Sequence, residues 1–143
     1  MVEDAHPPVD VDRLMAVDLF AELDHHDLAK VARWAHELRA EPGAVLFEQG
    51  ALPFELFVIE EGEVEIVRDG EVIGTVGPGE PVGEMSMLRG ERRMATVRAL
   101  TPITAIALSA DDLEEMNTEM PEVVRSLQEI TEERAERNAE RDR

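Results

Sequence analysis

Between Pro42 and Ser109 the sequence breaks into short runs of alternating apolar and polar residues, each closed by a glycine or proline turn. This punctuation constrains the fold more than any other feature, because such runs are too short for long helices and reverse direction every few residues. Strands are expected at Ala44–Glu48, Glu55–Glu60, Glu63–Arg68, Glu71–Val76, Met94–Leu100 and Ile103–Ser109. Within Glu63–Arg68, Val64 and Ile66 alternate with Glu63, Glu65 and Arg68, the pattern of a half-buried strand. Asp69-Gly70 is a strong hairpin signal, since a two-residue turn of the favoured hand requires positive φ.

Helical spacing flanks this region. Leu14, Val17 and Leu23, with Leu19 and Phe20 alongside, predict a first helix. Leu28, Val31, Ala32, Ala35 and Leu38 predict a second, with Asp24 as its cap. Beyond Ser109, Asp111–Met120 reads as a short helix, and Pro121 suits the first turn of a longer one carrying Val123, Val124, Leu127 and Ile130. The expected organisation is a flexible tail at 1–10, helices at 11–40, a β-roll at 41–109, C-terminal helices at 110–130, and a polar helix end or disordered tail at 131–143. The fold class is mainly β with flanking helices: an antiparallel, jelly-roll-like β-roll.

Charge narrows the partners. The chain has 33 acids against 14 bases, a formal charge of −19. A field of that sign repels nucleic acid and anionic membranes, which need clustered Lys and Arg. With no cysteine, thiolate catalysis and cysteine-ligated zinc are excluded. No apolar run approaches the ~18 residues of a membrane span, and the start lacks signal-peptide character, so a cytoplasmic protein is expected.

Against that background, Arg89, Arg92, Arg93 and Arg98 lie within ten residues, offset only by Glu91. Just before them, Gly83-Glu84-Met85-Ser86-Met87-Leu88 reads as a glycine turn entering one turn of helix, which aims backbone N–H groups at an anion. Strand parity sharpens the point. In a strand over 93–99, Arg93 shares a face with Ala95, Val97 and Ala99, an interior face by composition. An interior arginine is costly unless an anion meets it. Two anions qualify: an external ligand, or Glu84 in an internal ion pair.

Val82-Gly83-Glu84-Met85-Ser86-Met87-Leu88 followed by Arg92-Arg93-Met94-Ala95-Thr96-Val97-Arg98-Ala99 resembles the phosphate-binding cassette of cyclic nucleotide-binding domains, the effector domains of catabolite activators and kinase regulatory subunits. The resemblance runs from about Leu19 to Ile130 and includes the Pro42-Gly43 entry and the Gln49-Gly50 and Gly62 turns. It implies that Gly83 makes the sharp turn, Glu84 accepts from the ribose 2′-hydroxyl, and Arg93 pairs with the exocyclic phosphate oxygen. Backbone N–H groups around Met85, Ser86 and Ala95 complete the site. Three positions depart from the family pattern: Val82 replaces an aromatic, Arg92 a proline, and Met94 a small or hydroxyl residue. The missing hydroxyl at Met94 weakens the case for cGMP and leaves cAMP as the expected ligand. On the last helix, Leu127 and Ile130 are the apolar residues best placed to cover a purine, although a stripe this short is more often simple core or dimer packing.

A metal-dependent cupin roll would need histidine and carboxylate ligands inside the barrel, but His6, His25, His26 and His36 all precede the first barrel strand. No nucleophile–histidine setting is recognisable, so no catalytic residue, cofactor or metal is expected. The sequence ends at Arg143 without a helix-turn-helix, so the expectation is a stand-alone sensor acting on a protein effector or as a homodimer. The alternative is a ligand-free structural or docking β-roll.

Overall fold

The structure is a computed structural model that describes the backbone of residues 2–17, 20–21 and 23–141. The side chains of 2–8, 84, 85, 88, 131 and 134–141 lie outside the description.

The strands form two sheets. One has the order β1-β2-β9-β4-β7 and the other β3-β8-β5-β6. They comprise β1 (Val2–Pro8), β2 (His36–Ala40), β3 (Val45–Phe47), β4 (Glu55–Glu61), β5 (Val64–Arg68), β6 (Glu71–Val76), β7 (Pro81–Val82), β8 (Thr96–Ala99) and β9 (Ile103–Ser109). All strand pairs are antiparallel. The β5–β6 turn is as expected: Asp69 and Gly70 have φ of 52° and 81°, and Arg68 pairs with Glu71.

Strands β4 and β9 explain why the protein has two apolar cores. Alternate residues of each strand point opposite ways. Phe57, Ile59, Ala105 and Ala107 face the roll interior with Val64, Val82, Val97 and Ala99. Leu56, Val58, Ile106 and Leu108 face outward, under the helices, with Phe20, Leu28, Met87, Met116, Val124 and Leu127. Burial on both faces is why these two strands read as nearly unbroken apolar runs.

Four helical stretches build the outer layer over this sheet: α1 (Val11–Met15), α2 (His25–Val31), α4 (Ala110–Glu119) and α5 (Pro121–Arg141). A fifth, α3 (Glu84–Arg89), belongs to the loop between β7 and β8. Asp24 caps α2 by accepting from the Asp27 N–H at 2.8 Å. Ser109 and Asp112 form a reciprocal capping box at the start of α4. Arg13 ties α1 to the first sheet, with Nε donating to Glu60 at 3.0 Å and Nη2 to Glu37 at 3.1 Å. The hydrogen bond to Glu60 is the main reason the Arg13 pKa lies above the usual arginine value. The Trp34 Nε1 donates to Glu115 at 2.9 Å, the Arg33 guanidinium sits over the indole at 5.1 Å, and the turn after α2 is thereby tied to α4.

Two expectations are corrected. The helical region expected at 11–40 stops early: α1 has five residues, α2 ends at Val31, and Leu38 lies in a strand. Leu38 and Ala35 share helical spacing, but Leu38 and Ala40 also alternate with Glu37 and Arg39. Pairing with β9, Leu38 opposite Ala105, decides for the strand. The tail expected at 1–10 is instead β1, paired with β2 from Val2↔Ala40 to Pro8↔His36. Its prolines fit because β1 is an edge strand. Leu19 and Glu22 lie outside the described residues. At the other end, α5 continues through Arg141.

Candidate functional site

The site is built where the second sheet meets the β7–α3 turn. Gly83 has φ 81°, ψ 0° and precedes α3; Gly90 closes the helix at φ 67°. After Gly90 the chain runs extended beside the β3–β4 loop, with the Arg93 N–H donating to the Ala51 carbonyl at 2.9 Å and the Gly50 N–H to the Arg93 carbonyl at 2.8 Å. These two bonds hold Arg93 against the β3–β4 loop, with bends at Met94 and Ala95 between it and β8.

The strand expected to begin at Arg93 begins instead at Thr96, but the interior placement expected of Arg93 is observed. Arg93 is 4% exposed, and Val97 and Ala99 are buried on the same side. Met94, one residue on, is 55% exposed. The arginine cluster therefore divides. Arg92 is on the surface, donating to the Gly50 carbonyl at 2.9 Å. Arg98 pairs with Glu65 on the neighbouring strand, Nε to Oε1 at 2.8 Å. Arg89 is exposed at the end of α3. Arg93 is the member of the cluster that enters the roll.

Inside, the Arg93 guanidinium donates from Nη1 to the Gly83 carbonyl at 2.6 Å and from Nη2 to the Glu55 carbonyl. Its central carbon lies 3.9 Å from the centroid of the Phe47 ring. A side chain at position 83 would collide with this arrangement, because a Cβ there would lie 2.5 Å from Arg93 Nη1 and 2.9 Å from Phe47 Cε2. Glycine is thus required at 83 twice over, for its positive φ and for the space above it. An interior guanidinium beside a turn without a side chain can receive a small anion through charge-assisted hydrogen bonds.

The remaining expected residues fall as follows. Ser86 is buried at 7% and Ala95 is half-buried. Glu84 and Met85 contribute backbone to the first turn of α3, and their side chains lie outside the description. Leu127 and Ile130 are buried in the helical core with Met87 of α3, and not in the roll core to which Val82, Phe57 and the half-buried Phe47 belong. The structure thus brings Gly83 and Arg93 into contact and keeps the two α5 residues in the other core. Sequence reasoning missed Phe47 and the Glu55 carbonyl. The scarcity of aromatic residues, 3% of the chain, was the available signal for Phe47; a main-chain carbonyl leaves none.

The family profile described as the cyclic nucleotide-binding domain matches residues 37–119, which run from β2 to the end of α4 and include Phe47, Glu55, Gly83 and Arg93. The chain belongs to the cyclic nucleotide-binding domain family. That family is regulatory rather than catalytic. The N-terminal domain of a transcriptional regulator from Streptomyces coelicolor is 32% identical, with a TM-score of 0.74 over 89% of this chain and 94% of that one. A regulatory subunit of a cAMP-independent protein kinase A from Trypanosoma cruzi, bound to guanosine, is 25% identical with a TM-score of 0.70, covering 80% of this chain and 41% of that one. A cyclic nucleotide-gated potassium channel of Rhizobium etli is 29% identical over 119 residues, 83% of this chain. The chain spans only 33% of that channel, and 13% of an uncharacterised Mycobacterium tuberculosis relative to which it is 48% identical over 65 residues. Among the described residues, no helix is long and apolar enough to cross a membrane.

Proposed function

We propose that this cyclic nucleotide-binding domain senses cAMP in the cytoplasm and transmits occupancy through α4 and α5 to a protein effector or a second copy. The observation that carries the reading is the interior placement of Arg93 beside Gly83. On this reading Arg93 is the anchor for the cyclic phosphate, backbone N–H groups from Met85, Ser86 and Ala95 assist, and Glu84 accepts from the ribose 2′-hydroxyl. cAMP is preferred to cGMP because the exposed Met94 offers no hydroxyl to a guanine.

The route to the helices is supported by two adjacent carbonyls. That of Glu55 accepts from Arg93, and that of Phe54 accepts from the Ala110 N–H, the first residue of α4, at 2.7 Å. When phosphate draws the guanidinium away from Glu55, the strain is felt at the start of α4. α3 also packs on α5, with Met87 and Leu127 in one core. On this reading Leu127 and Ile130 report movement of α3, and they act as a purine lid only if α5 moves.

One observation favours a second reading. Arg93 already donates to two main-chain carbonyls, as expected of a ligand-free docking roll in which the arginine is structural. Thermal shift and calorimetry with cAMP, cGMP and guanosine decide between them. A ligand at 100 times its Kd stabilises the native state by about 2.7 kcal/mol, so cAMP is expected to raise Tm by roughly 5–10 °C. A clear preference for cGMP would overturn the selectivity, and no response to any of the three would overturn the nucleotide reading in favour of a structural Arg93.

A further inference from the structure

Phe47 has no role in the reading above, yet its ring is the surface on which the Arg93 guanidinium rests, 3.9 Å from centroid to guanidinium carbon. The ring is itself braced. It stacks with Phe57 at a centroid distance of 6.2 Å and an interplanar angle of 14°, and Phe57 is 2% exposed. Its backbone pairs with Val97 of β8, the strand that follows Arg93 in the chain. Its Cε2 also bounds the space above Gly83. Ring, glycine and guanidinium are therefore fitted to one another.

We propose that Phe47 is a positioning residue for ligand capture: its ring holds the Arg93 guanidinium plane in place so that the N–H donors can pass from the Gly83 and Glu55 carbonyls to an incoming phosphate. The proposal rests on the nucleotide-binding reading. Stacking uses the face of the guanidinium, whereas hydrogen bonds leave from its edge, so the ring contact persists while the edge partners change. A cation over an aromatic face is held most strongly where water is excluded, as it is around a 4% exposed arginine. Without the ring, a long side chain released from its carbonyls would have to be ordered anew as the ligand binds, and that ordering lowers affinity.

The test compares Phe47→Leu and Phe47→Tyr, each in the wild-type and Arg93→Ala backgrounds. The readouts are cAMP calorimetry, urea midpoints and the Arg93 Nε–H proton resonance. Phe47→Leu is expected to weaken cAMP roughly three- to thirty-fold, the range of a desolvated cation–π contact. Phe47→Tyr keeps the ring face and should stay within about twofold of wild type. In the Arg93→Ala background Phe47→Leu should cost stability but no further affinity. The Nε–H resonance should be ring-current shifted in wild type and Phe47→Tyr, and should lose that shift in Phe47→Leu. Wild-type affinity in Phe47→Leu, equal losses in both backgrounds, or failure of Tyr to restore binding would each overturn the proposal. Failure of the nucleotide reading is distinguishable, since the wild type would then bind nothing. The resonance still decides in that case, and an Nε–H unchanged by Phe47→Leu overturns the positioning role.

Discussion

Gly83→Ala probes the site with a single methyl group, and the structure supplies each part of the cost. A left-handed backbone at φ 81° is worth about 1–2 kcal/mol against alanine. The methyl would stand 2.5 Å from Arg93 Nη1 and 2.9 Å from Phe47 Cε2, far inside the ~3.5–4.0 Å at which such atoms rest. The Phe47 ring is braced, so Arg93 must yield and give up its bond to the Gly83 carbonyl. A hydrogen bond from a charged donor is worth about 1.5–3 kcal/mol. The sum is roughly 3–5 kcal/mol, which at this chain length lowers Tm by about 10–20 °C. Gly79→Ala is the matched control, with φ 86° and nothing within 4 Å of an added Cβ; it should cost the backbone part alone. Urea unfolding of both variants, with cAMP calorimetry of each, gives the comparison. If Gly83→Ala were no more destabilising than Gly79→Ala, the space above Gly83 would not be filled by Arg93 and Phe47, and the description of the site would be refuted.

Other outcomes follow from the same geometry. Arg93→Ala should weaken cAMP by about 2–5 kcal/mol and destabilise the protein by about 1–3 kcal/mol, because two partly buried carbonyls lose a donor; unchanged stability in a denaturation curve would show that those contacts are not made. Arg93→Lys should also bind poorly in calorimetry, since an ammonium cannot reproduce the planar fork. Met94→Ala, at an exposed position facing away from Arg93, should leave stability within about 0.5 kcal/mol and cAMP affinity close to wild type; a large loss of binding in titration would break the parity argument. Saturating cAMP should slow amide exchange over residues 123–130 if α5 responds to the ligand, and unchanged exchange there would remove α5 as transmitter.

The β-roll was legible in the sequence because its information is local. Alternation and turn chemistry placed β4, β5, β6 and β9 to within a residue or two of their observed limits, and Asp69-Gly70 announced its own turn. Arg93 was picked out by strand parity, by its spacing from Glu84 and by the family resemblance, without reference to anything distant in sequence. What escaped is what depends on a partner far along the chain. His36–Ala40 is a strand because β9 is beside it, and Val2–Pro8 is a strand because β2 is. Each of these segments also admits another reading when taken by itself. In the site, Phe47 and Glu55 were missed for the same reason. They meet Arg93 from β3 and β4, some forty residues upstream, and the Glu55 contact is made by its backbone.

Trp34 is the only indole in the chain, and its surroundings make it an optical gauge. A carboxylate from α4 accepts from its N–H while a guanidinium lies over its ring. Two full charges this close perturb the excited state of the indole, and one of them is carried by α4. A rotation of α4 away from α2 would withdraw the Glu115 carboxylate from the ring and leave the Arg33 cation in place, changing the colour or yield of emission. The protein thus carries at that seam a label-free reporter whose signal comes from one residue only.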